Sequence, residues 1–228
     1  MNDIISNLRQ SLEEAEGDPC NLKPDGYIIA SVLRAIARKV YREQVRDLPI
    51  EVIFDLCEDL LESRDGRERA VAFQWAFQAR KHYHTGDFGR FERWLDRYVD
   101  GWGSCDDFCT HAFGDLIFKF PKHIRTVKTW PNSKNRWFRR GAAVVMIYGI
   151  RRECRFKDAF EIADLLLLDE EDLVQKGYGW MLKEISKKDP QPVFEFVMQR
   201  KDRMPCTALR YAIEKLEPDL RRQAMKKS

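Results

Sequence analysis

Long apolar runs are the first thing this sequence lacks. The longest uncharged stretch near the middle, Gly141 to Ile150, is far below the ~18–20 residues that a membrane span needs. The opening Met-Asn-Asp-Ile-Ile has neither the basic start nor the apolar stretch of a signal peptide. Cysteine is sparse: six scattered residues in a chain of this size read as reduced thiols. A protein that is neither secreted nor membrane-bound, and is cytoplasmic, is therefore expected. The glycines form no phosphate loop, no dinucleotide fingerprint and no Gly-x-Ser-x-Gly elbow. No segment alternates strictly or is rich enough in β-branched residues to read as sheet.

What is present is a folded, charged, helical chain. Its 228 residues are 44% hydrophobic and 34% charged, a composition that argues against long disorder. The net charge of +3 conceals a stronger pattern. Residues 121–157 carry 11 basic side chains and one acid, Glu153, whereas 158–175 carry seven acids and no base. A basic block beside an acidic one suggests a localised anion-binding surface; ordinary helix faces of alternating sign are the plainer alternative.

Apolar residues recur at helical spacing, as in Leu33, Ile36, Ala37 and Val40, or Ile53, Leu56, Cys57 and Leu60. Pro49, Pro121, Pro190 and Pro205 suit first helical positions. Gly66, Gly86, Gly101 and Gly103 fall where helices should stop or turn. About a dozen helices of roughly 10–18 residues are predicted, joined by short turns. Short amphipathic helices cannot bury a stripe alone, so they must stack as pairs. The preferred architecture is all-α: a curved superhelical array of antiparallel helix pairs forming one domain over residues 1–228. A closed helical bundle is the alternative.

Three local features could carry chemistry. In Asn135-Arg-Trp-Phe-Arg-Arg140, a helix capped by Ser133 or Asn135 gathers Arg136, Arg139 and Arg140 near its first turn. Cations oppose the helix dipole there, by roughly 0.3–1 kcal/mol each. An anion such as phosphate would reconcile them, and that reading is preferred over neutralisation by the 158–175 acids. In the helix predicted for Glu170 to Ile185, Val174, Tyr178, Met181, Leu182 and Ile185 share a core face. Trp180 projects roughly 140° away from it, among Lys176, Lys183 and Lys187. An aromatic among lysines suits a nucleic-acid surface; packing against another helix pair explains it equally well. In Gly101-Trp-Gly-Ser-Cys-Asp106, Ser104 and Asp107 form a possible capping box, with Trp102 in a glycine-flanked turn just before it. A first-turn carboxylate there is usually only a dipole complement.

A metal-like set, Cys105, Cys109 and His111 with His82 and His84 elsewhere, lacks the second compact ligand pair of a structural zinc site. No metal and no cofactor are expected.

Three stretches together resemble the AlkD-type DNA alkylation-repair glycosylases, a family of HEAT-like helical-repeat proteins. They are Gly-Trp-Gly-Ser-Cys-Asp at 101–106, Asn-Arg-Trp-Phe-Arg-Arg at 135–140, and Gln-Lys-Gly-Tyr-Gly-Trp-Met-Leu-Lys-Glu at 175–184. Their order and separation fit from about Leu48 to the C-terminus. The resemblance implies a catalytic set of Trp102, Asp106 and Trp180, and it places Arg139 and Arg140 where the family has a phosphate-contacting arginine. With Arg136, Lys176, Lys183 and Lys187, these form the expected DNA-backbone contacts. Lys183 stands where the family often has arginine, which keeps charge and loses bidentate geometry.

The implied reaction is hydrolysis of the N-glycosidic bond of cationic alkylated purines, such as N3-methyladenine or N7-methylguanine, in duplex DNA. The implied partner is duplex DNA carrying alkylated bases, with no membrane and no obligate protein partner. Location at the nucleoid is implied if the source is prokaryotic. A non-catalytic helical-repeat module binding DNA or another polyanion is the alternative, and a protein-interaction scaffold is a third.

Overall fold

The computed structural model describes residues 2–63, 65–153 and 156–226, and every regular element among them is helical. Its one β-bridge is isolated, between Leu22 and Ile28. The chain divides into two compact units, Met1–His84 and Thr85–Ser228. No helix of the described residues is long and apolar enough to cross a membrane. Five cysteines, Cys20, Cys57, Cys105, Cys109 and Cys206, are free thiols; Cys154 lies outside the described residues, as does Arg155 of the basic block.

The first unit contains α1 (Asn2–Glu16), α2 (Ala30–Val40), α3 (Ile50–Glu62) and α4 (Gly66–Gln78). Helix α1 packs on α2, and α4 packs on both α2 and α3. The predicted stripe of α3 is its core face: Ile53, Leu56, Cys57 and Leu60 are all buried. Asp65 caps α4 by accepting from the Arg67 amide at 2.8 Å, which satisfies one of the orphan donors of the first turn. The Trp75 indole donates to the Ala37 carbonyl at 2.9 Å, and the Arg9 guanidinium grips buried Glu68 with two hydrogen bonds of 2.7 and 3.0 Å. These two links tie α4 to α2 and to α1.

The second unit begins with α5 (Phe88–Tyr98), α6 (Trp102–Phe108), α7 (Gly114–Lys119), α8 (Ile124–Val127) and α9 (Arg136–Val144). It continues with α10 (Met146–Ile150), α11 (Lys157–Leu165), α12 (Asp172–Ser186), α13 (Pro190–Arg200), α14 (Cys206–Ala212) and α15 (Pro218–Met225). Phe88, Phe91, Trp94, Phe108, Phe113 and Trp130 form an aromatic cluster with ring centroids 5.0–6.2 Å apart. Helix α12 is the spine: it packs on α9 and α14 and also meets α10, α11 and α13.

The α-helices are shorter than the predicted 10–18 residues in several places, and the cause is local. Two π turns, Tyr41–Val45 and Cys109–Phe113, interrupt otherwise continuous helical runs. At the second, a Cβ on Gly114 would lie 2.6 Å from both the Cys109 carbonyl oxygen and the Tyr148 Cβ. The turn therefore forms where α10 approaches too closely for any side chain. Pro121 and Pro190 occupy first helical positions as predicted. Pro49 and Pro205 sit one residue earlier, at the N-caps of α3 and α14, where the fixed φ of proline is equally compatible.

Gly179 sets the α12–α14 distance. A Cβ there would lie 2.7 Å from the Tyr211 Cβ and 2.9 Å from the Ala208 carbonyl oxygen, both parts of a rigid helix. Gly179→Ala is expected to lower stability by about 1–3 kcal/mol through overpacking, although alanine is the better helix former by about 1 kcal/mol. Gly103→Ala, which meets open space, is expected to be neutral or stabilising. Urea unfolding midpoints of the two variants measure the contrast, and equal midpoints would refute the close-approach account.

Candidate active site

Helix α6 starts three residues earlier than the capping-box reading predicts. Gly101 is the N-cap, and Ser104, three residues on, accepts from the Gly101 amide at 3.2 Å and donates back to its carbonyl at 3.0 Å. Trp102 is thus the first helical residue rather than part of a preceding turn, and the residue is 62% exposed. Asp107 is not part of that cap; it lies 3.4 Å from the His111 imidazole.

Because Asp106 follows Trp102 by four residues, both project from one side of α6. Two hydrogen bonds from Arg140 of α9 hold its carboxylate, Nε to Oδ1 at 2.8 Å and Nη2 to Oδ2 at 2.7 Å. The Arg140 side chain is only 6% exposed, against 19% for Asp106. Its remaining nitrogen, Nη1, donates to the Leu173 carbonyl in the first turn of α12. Gly177 makes room for this arrangement, since a Cβ there would stand 3.1 Å from Arg140 Cγ and 3.4 Å from Nη1. Burial pushes the Asp106 carboxyl above the ordinary aspartate value, and the Arg140 guanidinium opposes that rise. Burial would lower the Arg140 pKa, but the Asp106 carboxylate raises it. Two hydrogen bonds from a guanidinium, one to each oxygen, favour the ionised carboxylate.

Trp180 comes from the middle of α12 and is half-buried. Its indole N–H donates to Glu184 Oε1 at 3.0 Å, and the Arg151 guanidinium carbon lies 5.8 Å from the ring centre. Trp102, Asp106, Arg140, Lys176, Trp180 and Lys183, with Leu173 and Tyr211, line one open cleft of about 400 Å³. The three residues of the expected catalytic set, brought from two helices, share that cleft.

The predicted backbone-contacting cations divide into two groups. Lys176 and Lys183 line the cleft, each beside a carboxylate: Lys176 is 2.6 Å from Asp172 and Lys183 is 3.0 Å from Glu214. The Lys183 ammonium is also 5.3 Å from the Tyr211 ring centre. Arg136, Arg139 and Lys187 do not line it. Arg139 is engaged by Asp169 at 2.6 Å and by the Ser133 and Lys134 carbonyls at 2.9 and 3.2 Å. Arg136 is 3.4 Å from Glu171, and Lys187 is 2.6 Å from Glu184. The acidic 158–175 block thus neutralises part of the basic block, the arrangement that the sequence reading placed behind phosphate binding; Lys128 with Glu161, 2.6 Å apart, is a further pair. Arg140 differs from the predicted phosphate contact because its guanidinium is buried and already occupied by Asp106.

Cys105 and Cys109 are both buried, and His111 turns to the Asp107 carbonyl at 2.9 Å. Among the described residues, no group of three or more His, Cys, Asp or Glu side chains gathers as a metal ion would require. Tyr211 and Leu173 escape sequence reasoning. Tyr211 reaches the cleft only because Gly179 admits α14 so closely, and Leu173 takes part through its carbonyl, which any residue supplies.

The model of the family described as DNA alkylation repair enzyme matches residues 28–216, a span that includes every residue lining the cleft. No curated protein matches the chain. A solved structure of a predicted DNA alkylation repair enzyme from Enterococcus faecalis superposes with a TM-score of 0.74 at 18% identity, over 95% of this chain and 96% of that one; at that identity the likeness speaks for the fold. With most of its length inside the family model, this chain belongs to the DNA alkylation repair enzyme family.

Proposed function

We propose that this protein is a DNA glycosylase that hydrolyses the N-glycosidic bond of cationic alkylated purines, of the N3-methyladenine or N7-methylguanine type, in duplex DNA. The observation that carries the reading is the placement of Trp102, Asp106 and Trp180 around one open cleft, with both carboxylate oxygens hydrogen-bonded by Arg140. Alkylation at a ring nitrogen gives the base a positive charge, so it leaves as a neutral molecule and needs no dedicated general acid. As the C1′–N bond breaks, its electron pair goes to the base and positive charge builds on the sugar. A fixed carboxylate beside that sugar stabilises the charge, and it does so more strongly in a partly dehydrated site than in water. The water oxygen then bonds to C1′, and its surplus proton passes to Asp106 or to solvent.

Each carboxylate oxygen of Asp106 gives one hydrogen bond's capacity to Arg140 and retains another, which is directed to the attacking water. The aromatic faces of Trp102 and Trp180 attract the cationic sugar from either side. Lys176 and Lys183 exchange their carboxylate partners for DNA phosphates when the duplex binds, so binding weakens steeply as salt rises. Arg136 and Lys187, both about half exposed, add charge at longer range, and Arg139 shapes the surface through Asp169. Arg140 acts mainly by positioning Asp106. The proposed site of action is DNA in the cytoplasm or nucleoid.

Asp106→Asn is expected to slow release of methylated purines from duplex DNA by roughly 10²–10³-fold, the range seen when one preorganised electrostatic group is removed, with DNA affinity changed by only about two-fold. Full activity in this variant, measured under single turnover, would overturn the reading. Salt-sensitive binding without base release by the unmodified protein would favour the polyanion-binding alternative.

The pH profile gives a second test. Burial disfavours the charged form of Asp106, so it takes up a proton at a higher pH than an ordinary aspartate. Release should therefore fall on acidification with an inflection above the ordinary value of 3.8. Arg140→Gln removes the opposing guanidinium, so the inflection should move further upward. A downward movement would contradict the assigned roles.

A further inference from the structure

Glu184 is an unusual residue to find inside this unit. Its side chain is only 5% exposed, and three groups converge on it. Trp180 Nε1 and Lys187 Nζ donate to Oε1 at 3.0 and 2.6 Å, and Arg151 Nε donates to Oε2 at 3.1 Å. Arg151 is held in turn: it is the C-cap of α10, and its carbonyl accepts from Lys188 Nζ at 2.8 Å. Burial alone would raise the Glu184 carboxyl, but Arg151, Lys187 and the Trp180 N–H overcome that and bring it down to about 2. The group is thus a permanent anion at any physiological pH.

A buried carboxylate could be matched by its two cations alone. Here one oxygen is shared with the indole of the one cleft-lining tryptophan that α12 carries. An indole has two side-chain torsions, and packing on one flank leaves rotation about the second soft. A hydrogen bond at Nε1, the far edge of the ring, fixes that rotation. Arg151, 5.8 Å from the ring centre, faces the same indole while it is fastened to Glu184.

We infer that Glu184 is a positioning residue for the base-release reaction: it latches the Trp180 indole through Nε1 so that the ring presents its face to the cleft, with Arg151 and Lys187 holding the latch in place. The inference rests on the glycosylase reading. Glu184 itself touches no substrate. It acts through Trp180, in the way that supporting contacts make a site rigid, and a ring released from it is displaced by an amount that costs rate steeply.

The test uses the full-length protein with ¹⁵N-labelled tryptophan, the Trp180 indole N–H signal being assigned by its loss in Trp180→Phe. Glu184→Ala is expected to move that signal to the position of an unbonded indole and to speed its exchange with solvent. It should also lower single-turnover release of N7-methylguanine about 10–100-fold, with affinity for undamaged duplex changed by less than about two-fold. In a Trp180→Phe background, the same substitution should cost less than about two-fold, because the latch has nothing left to hold. An equal cost in both backgrounds would assign Glu184 a purely structural role and overturn the inference.

If Glu184→Ala does not fold, Trp180 is replaced site-specifically by benzothienylalanine, which keeps the fused ring and removes only the N–H donor. The same loss of release is expected there, and unchanged release would overturn the inference. Absence of base release by the unmodified protein would overturn the glycosylase reading, and the inference with it. Normal release together with an unaffected Glu184→Ala variant would overturn the inference alone.

Discussion

The site depends on one buried ion pair. Arg140 and Asp106 meet in bidentate geometry on the inner wall of the cleft, where both have lost much of their hydration. Such a pair is weak support for stability, because desolvation offsets most of the attraction, while removing either partner strands a charge. Its value lies in placement. The planar fork of the guanidinium fixes the plane of the carboxylate and keeps it ionised. A lysine at 140 would supply charge with neither the fork nor the reach to Leu173.

That pair constrains the helix beneath it. Arg140 lies against α12 at Gly177, and α14 lies against α12 at Gly179. Between them Tyr178 is fully buried, and one residue further Trp180 turns to the cleft. Two glycines within a helix cost roughly 1 kcal/mol each in propensity. The tight approach of two neighbours offsets that cost, and Trp180 can occupy the same helix because its own face is left uncovered. Glu184, one turn on, then joins the indole to α10 through Arg151. The cleft thus draws its rigidity from α6, α9, α10, α12 and α14 rather than from loops.

Much of this was legible in the sequence, and the exceptions have physical causes. The helical class follows from periodicity, since each stripe needs a neighbour. Trp180 could be placed off the core face of α12 because the wheel depends only on local spacing. The pairing of Trp102 with Asp106 comes from the family resemblance, because the local pattern leaves Trp102 in a turn ahead of the helix and four-residue spacing acts only once both lie on α6. Arg140 was harder. Its neighbours Arg136 and Arg139 suggested a shared phosphate surface, but helical geometry turns the three into different surroundings: towards Glu171, towards Asp169, and inward to Asp106. Which acid a base meets is a tertiary property, 30–35 residues distant in sequence for these pairs. Tyr211, the link from Glu184 to Arg151 and the π turn at Cys109–Phe113 likewise follow from contacts between helices that local pattern does not encode.

The central claim is electrostatic: an ionised Asp106, held by Arg140, stabilises positive charge on the sugar. It is tested most directly by comparing duplexes that carry, at the lesion site, either a pyrrolidine abasic analogue, cationic at neutral pH, or its neutral tetrahydrofuran counterpart. The account predicts that the protein binds the cationic duplex about 10–100-fold more tightly, as expected for a mimic of the charged transition state, and that Asp106→Asn abolishes the preference. Equal affinity for the two duplexes, or a preference that survives in Asp106→Asn, would contradict it.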